Sequence, residues 1–235
     1  AQRARYIFAV TGNDRVNIEV ASKAFEVRDD YDGDDFVQLC AVHVDDVEIS
    51  TLFAERPLFK DRTERFDAHF FNINRLAARV LIDQFASSLK AELVGAIKTG
   101  GPSSAIGVCK EKAPAIAASL SETSEWTIGR TSLKTRNPDN AADDWETRVL
   151  KQFESLKGAA GKDAPMSYAA VVDTDEHKAY RYMQAIPTQE VCLTCHGAEI
   201  DPQLAEVIDT AYPDDQARGY SAGDIRGAFT LTKPM

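Results

Sequence analysis

One short segment constrains this chain more than any other: two cysteines three positions apart are followed at once by a histidine, in Cys192-Leu193-Thr194-Cys195-His196. Cys-x-x-Cys-His is the attachment signature of c-type haem. Two thiols at this spacing can add to the two vinyl groups of the porphyrin, and the adjacent imidazole can then bind the iron as its proximal ligand. The segment therefore predicts one covalently attached haem c, held by Cys192, Cys195 and His196.

Two other kinds of site use closely spaced cysteines. A thioredoxin-like redox pair is expected after a strand and at the start of a helix, whereas this motif follows Pro187 in a loop and leads into Gly197. A structural zinc site normally needs a second pair of ligands at close spacing. Here only isolated residues could complete one: Cys40, Cys109, His43, His69 and His177. Haem attachment is favoured over both alternatives.

The composition is that of a folded protein with an excess of negative charge. Hydrophobic residues make up 44% of the 235 positions and charged residues 27%, so the chain is neither disordered, fibrous nor transmembrane. The 37 acidic and 27 basic side chains give a formal net charge of −10. Nucleic acids and anionic membranes are disfavoured as partners, because binding them needs clustered Lys and Arg. A basic redox partner protein fits better.

The start of the chain bears on its location. The sequence begins at Ala1 and shows no basic segment followed by an apolar one, so we expect that any signal peptide has been removed or omitted. Haem c is attached outside the cytoplasm. The expected location is therefore periplasmic or otherwise extracytoplasmic.

Residues 1–57 are predicted to form a β-rich N-terminal extension. Tyr6–Val10, the alternating Val16, Ile18 and Val20, and Phe36–Val44 all have the pattern of strands. The acidic turn Asp29–Asp35 between them has no acid at the closing position of a calcium loop, which favours a solvated turn. So few residues make a poor independent domain. We expect them to pack on the rest of the chain or to add strands to a neighbouring subunit, giving a homo- or hetero-oligomer.

Residues 58–235 are predicted to form one domain in which helices precede an antiparallel β region. A helical period begins near Thr63, Gly100-Gly101-Pro102 ends that helix, and a second short helix carries Cys109. Trp126–Asn140 is predicted to be rich in loops. Shorter elements follow: helices at Trp145–Leu156 and Pro202–Thr210, and strands at Tyr168–Val172, Ala179–Ile186 and Gly227–Thr232. The fold class is therefore α+β.

The second axial position of the iron is open from the residues alone. Cys109 stands among small side chains that would let a flat macrocycle approach, although a buried, inert cysteine would have the same surroundings. Water or an empty site is also compatible. The other candidate side chains are Cys40, Met166, Met183, His43, His69 and His177.

Several segments resemble, in their order, the motifs of one known family. They are Gly100-Gly101-Pro102, Ile106–Cys109, Ile128–Lys134, Arg136-Asn137-Pro138, Cys192–Gly197 and Gly223–Ala228. The family is a single-haem c-type domain, found as a cyanobacterial haem protein and as a sensor module of histidine kinases and chemoreceptors. The resemblance covers residues 63–233. Residues 1–57 depart from the pattern, and Cys40 has no counterpart.

The resemblance implies a PAS-like α+β fold and a His/Cys axial pair. Carried over, His196 is the proximal iron ligand and Cys109 the distal thiolate. Arg130 and Arg136 are candidates to bind the haem propionates, because guanidinium groups bind carboxylates bidentately, although surface ion pairs would also use them. The large aromatic side chains could wall the pocket or belong to the general core. They are Trp126, Trp145, Tyr212 and Tyr220.

Three functions remain to be compared. One haem and an acidic chain favour an electron carrier or a redox subunit of a larger assembly, and a thiolate ligand would give it a low reduction potential. The alternative is a haem-based redox or gas sensor that signals through a partner. An enzyme such as a peroxidase needs an open distal position, and a cysteine ligand on the iron argues against it.

Overall fold

A computed structural model describes residues 6–29, 37–55, 66–157, 166–174 and 177–235. The chain divides into two compact units, 1–79 and 80–235. The N-terminal extension was predicted to end at residue 57, ahead of this division. Most of the predicted acidic turn, Asp29–Asp35, lies outside the described ranges; Asp29 itself ends a helix.

The N-terminal unit contains a three-stranded parallel sheet in the order β1-β2-β3. Each connection between its strands includes a helix, as parallel pairing requires. Its core includes Cys40, Val42 and Val44 from the central strand and the turn after it. The elements are β1 (Tyr6–Ala9), α1 (Asp14–Asp29), β2 (Gln38–His43), α2 (Val47–Glu55) and β3 (Phe66–Phe71).

The prediction of a strand at Val16–Val20 was wrong, because these residues lie in α1, and the extension predicted to be β-rich contains two helices in its described part. The buried residues of α1 are Asn17, Ala21, Ala24 and Arg28, and their spacing of four, three and four is helical. These small or polar side chains carry no hydrophobic signal, whereas the more conspicuous Val16 and Val20 are exposed. The alternation of Val16 and Val20 with polar residues therefore imitated the two-residue period of a strand, although both valines lie on the exposed side of a helix.

A long helix, α3 (Ile73–Gly107), runs across the division between the units. It is broken at Gly101, where φ is 73° and the next residue is Pro102, so the predicted end of the helix at this point is confirmed. A π-helical turn, Val108–Lys112, follows and contains Cys109. Helix α4 (Ala113–Glu122) then leads to the sheet of the C-terminal unit.

The C-terminal unit is built on a four-stranded antiparallel sheet in the order β4-β7-β6-β5. The strands are β4 (Thr127–Thr131), β5 (Ser167–Asp173), β6 (Lys178–Pro187) and β7 (Ile225–Pro234). Strand β4 lies where loops were predicted; it pairs with β7, with Arg130 opposite Phe229. The predicted β5–β6 pair and the final strand are confirmed.

Three shorter helices complete this unit: α5 (Asp144–Ser155), α6 (Glu190–His196) and α7 (Pro202–Ala211). One apolar cluster joins Val149, Leu150 and Phe153 of α5 to Met183 and Ala228 of the sheet. A second cluster packs Ile106, just before the π-helical turn, with Leu204 and Ile208 of α7 and partly with Cys195. Through Ile106 and Cys195, the second cluster therefore connects the segment just before Cys109 with the end of α6.

The predicted α+β class, with helices and an antiparallel sheet, holds for the C-terminal unit. Across the described ranges, no helix is both long and apolar enough to cross a bilayer.

Candidate functional site

One pocket of the C-terminal unit gathers four of the residues singled out by sequence. Cys109, Arg130, Arg136 and His196 all line it, from the π-helical turn, β4, the loop after β4 and the end of α6. Its volume is about 610 Å³ when the space at its open mouth is included. The remaining lining residues are Thr131, Ser132, Lys134, Thr135, Asn137, Asn140, Ile186, Tyr212, Ala217, Arg226 and Gly227.

The two cysteines of the motif lie on the short helix α6, where a loop was predicted, three positions apart and therefore on one side of the helix. Both are free thiols and both are partly exposed. Burial raises the pKa of the Cys195 thiol, so it is protonated at neutral pH. His196 ends the helix, and its ring lies at the wall of the pocket.

The imidazole of His196 is held in one orientation by a backbone carbonyl. Its Nδ1 lies 2.8 Å from the carbonyl oxygen of Ala217. Because a carbonyl only accepts, Nδ1 carries the hydrogen and Nε2 has the lone pair, with Nη1 of Arg226 3.5 Å away. Burial, followed by the positive charges of Arg226 and Arg136, lowers the pKa of His196 to about 3. The ring is thus neutral, which is the form that binds a metal ion.

Backbone hydrogen bonds hold the chain around His196 to the loop 217–220. The N–H of Tyr220 donates to the carbonyl of His196, and the N–H of Gly219 donates to that of Gly197, both at 3.0 Å. A side chain at Gly197 would place Cβ 2.6 Å from the carbonyl oxygen of Leu193. This glycine lets the chain leave α6 tightly against the helix.

Arg136 does not extend freely into the pocket. Its guanidinium binds the carboxylate of Asp215 at two points, 3.0 Å and 3.1 Å long. It also donates to the carbonyl of Cys195 at 2.6 Å. The structure therefore gives Arg136 a carboxylate partner within the chain, whereas the sequence offered either a propionate or a surface ion pair for it.

Two other arginines of the pocket have no such partner. Neither Arg130 nor Arg226 forms a salt bridge with a carboxylate in the described part of the chain, and no described residue accepts a hydrogen bond from the buried Nε of Arg226. Burial and then the positive charge of Arg226 lower the pKa of Arg130. Two cations facing one pocket provide a site for an anion.

A glycine shapes the same wall. At Gly227 of β7 an added Cβ would lie 2.5 Å from the carbonyl oxygen of Thr131 on β4. Larger residues would push the two strands apart. The backbone itself therefore forms this part of the pocket lining.

Comparisons with known proteins identify the family of this chain. The family model described as Tll0287-like matches residues 42–234. The chain belongs to the Tll0287-like family. Its structure is similar to the crystal structure of the cyanobacterial haem protein Tll0287, with a TM-score of 0.50 and 25% identity, covering 70% of this chain and 98% of that one. No curated protein matches the chain.

The family match includes every residue that lines the pocket. The resemblance seen in the sequence, to a family with a cyanobacterial haem protein among its members, is thereby confirmed. The match begins at residue 42, ahead of the predicted start at residue 63, and takes in β3 and part of β2.

The other residues considered as ligands do not line the pocket. Cys40, His43 and His69 belong to the N-terminal unit, where His69 lies 2.9 Å from Asp67. Met183 is buried beneath α5, with Met166 against the same cluster. His177 is exposed before β6. Over the residues that the structure describes, no three His, Cys, Asp or Glu side chains are placed to hold a metal ion, so the zinc alternative has no ligand set.

Two of the four predicted aromatic residues lie at the site. Tyr212 lines the pocket, and burial raises its pKa to about 12. The ring of Tyr220 meets that of His196 edge-on, with centroids 6.4 Å apart. Trp126 instead packs on Tyr180, and Trp145 on Arg181.

Sequence reasoning missed two residues of the site, Arg226 and Asp215. Arg226 belongs to the Gly223–Ala228 segment that carried the resemblance, so the signal was present without a role attached to it. Asp215 had no signal beyond its place in an acidic stretch.

Proposed function

We propose that this chain is an extracytoplasmic monohaem c-type cytochrome that transfers electrons, as a carrier or as a subunit of a larger assembly. The observation that carries the proposal is the pocket in which His196 of the attachment motif and Cys109 both line the wall. Membership of the Tll0287-like family supports it, because the solved relative is described as a haem protein.

The residues of the motif fit covalent attachment. Cys192 and Cys195 are free, partly exposed thiols on one side of α6. In our proposal Cys192 and Cys195 would each hold the haem through a thioether bond to one vinyl group, with the S–H hydrogen ending on the other vinyl carbon. No oxidant or reductant is consumed. The same two cysteines would otherwise stand as unpaired thiols near the surface.

The residues of the pocket fit a haem iron with two protein ligands. His196 presents the lone pair of Nε2 because Nδ1 donates to Ala217. Cys109 lines the same pocket and would bind as a thiolate after losing its proton. Bound haem would supply one-electron chemistry, and a thiolate ligand stabilises its ferric state, so we expect a low potential.

The two arginines without a carboxylate partner in the described chain, Arg130 and Arg226, fit the propionates of the same group. The buried Nε of Arg226 has no acceptor within the described chain, and burial together with the positive charge of Arg226 lowers the pKa of Arg130. In our proposal these two side chains bind the propionates. We do not assign this role to Arg136, because its guanidinium already binds the carboxylate of Asp215.

Electron transfer is favoured over catalysis by the ligand set. With His196 and Cys109 both on the iron, no position would be left for a substrate. Helices beside a four-stranded antiparallel sheet support the proposed PAS-like arrangement of this unit. The net charge of −10 supports a basic redox partner.

The test is the full chain expressed with a c-type haem maturation system. We expect one haem per chain that survives acid–acetone extraction, and no retained haem in Cys192→Ser/Cys195→Ser. The matched control, Cys40→Ala, removes a buried thiol of the N-terminal unit and should retain the haem. Haem that can be extracted from the wild type would overturn covalent attachment. Carbon monoxide binding to the reduced protein would favour the sensor instead.

A further inference from the structure

One buried ion pair lies next to the imidazole of His196, and the proposed function gives it no role. The guanidinium of Arg136 faces the carboxylate of Asp215, and these side chains are 10% and 2% exposed. Burying two charges costs desolvation energy that their attraction only partly offsets. What the pair does is therefore decided by the other groups that it contacts.

One of those groups is Arg218, whose Nε donates to Asp215 at 2.7 Å; the others lead to the proximal histidine. Arg136 Nη2 donates to the carbonyl of Cys195 at 2.6 Å and lies 3.4 Å from that of Ala217. The Ala217 carbonyl is the acceptor of the His196 Nδ1 hydrogen bond. Asp215 in turn accepts from the N–H of Ala217 at 2.9 Å. The pair thus fixes both the residue before His196 and the peptide that orients its ring.

We propose that Arg136 and Asp215 are a positioning pair that holds the His196 imidazole and sets the reduction potential of the iron it binds. The inference rests on the proposed function for its electrochemical part only. The orientation of the ring is a property of the polypeptide and can be measured without haem.

The two partners act on the potential with opposite signs. Asn in place of Asp215 would leave Arg136 and Arg218 as uncompensated positive charges near the ligand, and positive charge favours ferrous iron. Loss of Arg136 would leave negative charge on Asp215, reduced by the remaining contact with Arg218. If the two substitutions only loosened the structure, the midpoint potentials of both variants would shift in the same direction.

The electrochemical experiment uses the full, haem-loaded chain. We expect Asp215→Asn to raise the midpoint potential and Arg136→Gln to lower it by a smaller amount, with haem still attached. Arg136→Lys, which keeps the charge, should recover most of the shift. Arg218→Gln is the matched control, because Arg218 binds Asp215 without a contact to Cys195 or Ala217 in the described chain; it should shift the potential less than Arg136→Gln. Shifts of equal sign, or none, would overturn the electrostatic part.

The second experiment uses the full chain with Cys192→Ser/Cys195→Ser, which cannot attach haem. Nitrogen NMR of His196 should show a single tautomer with hydrogen on Nδ1, and Asp215→Asn or Arg136→Gln should give a mixture. An unchanged tautomer in both variants would overturn the positioning role. If the wild type never attaches haem, the proposed function is wrong. The tautomer measurement still tests whether Arg136 and Asp215 position the imidazole of His196.

Discussion

Arg226 Nη1 lies 3.5 Å from Nε2 of His196, the nitrogen that we propose as the iron ligand. The cation and the ligand atom therefore share one small space at the wall of the pocket. Because Arg226 has no carboxylate partner among the described residues, its charge acts on whatever occupies that space.

The first prediction concerns this charge. Arg226→Gln should retain covalent haem, since the thiols hold it, but should lower the midpoint potential because a nearby positive charge is lost. Redox titration of the two proteins measures the shift. Arg148→Gln, on the exposed side of α5, is the control and should leave the potential unchanged. A potential that Arg226→Gln does not move would remove Arg226 from the site.

The second prediction concerns the distal ligand. Cys109→Ala should keep the haem attached and convert the iron to a high-spin or differently ligated form with a raised potential, because thiolate donation stabilises ferric iron. Visible and electron paramagnetic resonance spectra check the ligation. Spectra identical to the wild type would move the distal role elsewhere, and Met183 would be tested next although it lies outside the pocket lining.

The third prediction is a pH dependence of stability from Asp215. Burial alone would raise the pKa of this carboxyl, but hydrogen bonds from Arg136, Arg218 and the N–H of Ala217 outweigh it and hold the pKa below its ordinary value. A group with a lowered pKa stabilises the fold above its unfolded pKa, here about 3.9, and loses that effect as the pH falls through the folded value.

Asp215→Asn should therefore reduce the free energy of unfolding at pH 7 by roughly 3 kcal/mol, the cost of breaking a buried pair. The difference from the wild type should persist down to about pH 4 and shrink below it. Urea unfolding at pH 7, 5, 4 and 3 measures it. A difference that is the same at pH 3 and pH 7 would contradict the role of the ionised carboxyl.

The fourth prediction concerns the glycine wall. Gly227→Ala should destabilise the C-terminal unit by about 1–3 kcal/mol, because its methyl group would overlap the carbonyl of Thr131. Gly129→Ala in β4 is the matched control, since its Cβ would make only an ordinary 3.6 Å contact with Thr230. Thermal unfolding compares the two. Equal stability of both variants would mean that the strands can separate without cost.

The fifth prediction takes up one of the two expectations for the N-terminal segment, namely that it adds strands to a neighbouring subunit and not that it packs on the rest of the chain. Strand β1 is an edge of the described sheet, and its Tyr6 and Phe8 are 64% and 70% exposed on one face. We expect the full chain to form oligomers by light scattering and Phe8→Lys to reduce them. Tyr168→Lys on β5, an edge of the other sheet, should have no effect. A wild-type protein that is monomeric by light scattering would contradict this prediction.

Much of the site followed from sequence because covalent chemistry imposes fixed spacing. The attachment motif needed only residue types and spacing, whereas Cys109 was singled out as a ligand by the resemblance to a known family; the structure places Cys109, Arg130 and His196 at one pocket. The partner of Arg136 could not be read in this way. Asp215 is distant in sequence, and only the folded chain brings the two charges together.

The fold was predictable where the buried residues are large and apolar and where glycine or proline marks the end of an element. Gly101 and Pro102 marked the break in α3, and the β5–β6 pair had clear strand patterns. Helix α1 was missed because its buried side includes small residues such as Ala21 and Ala24. Strand β4 was missed because its short sequence, Thr-Ile-Gly-Arg-Thr, has no strand pattern of its own. It is a strand because it pairs with β7.

The π-helical turn Val108–Lys112 makes the position of Cys109 depend on the length of the chain. A π turn holds one residue more than the α-helical turn it replaces. Deleting one residue from it would restore an α-helix and rotate the preceding side chains by about 100° relative to those that follow. The thiol would then turn away from the wall while the hydrophobicity of the segment hardly changed. At this turn an insertion or deletion is more consequential than most substitutions.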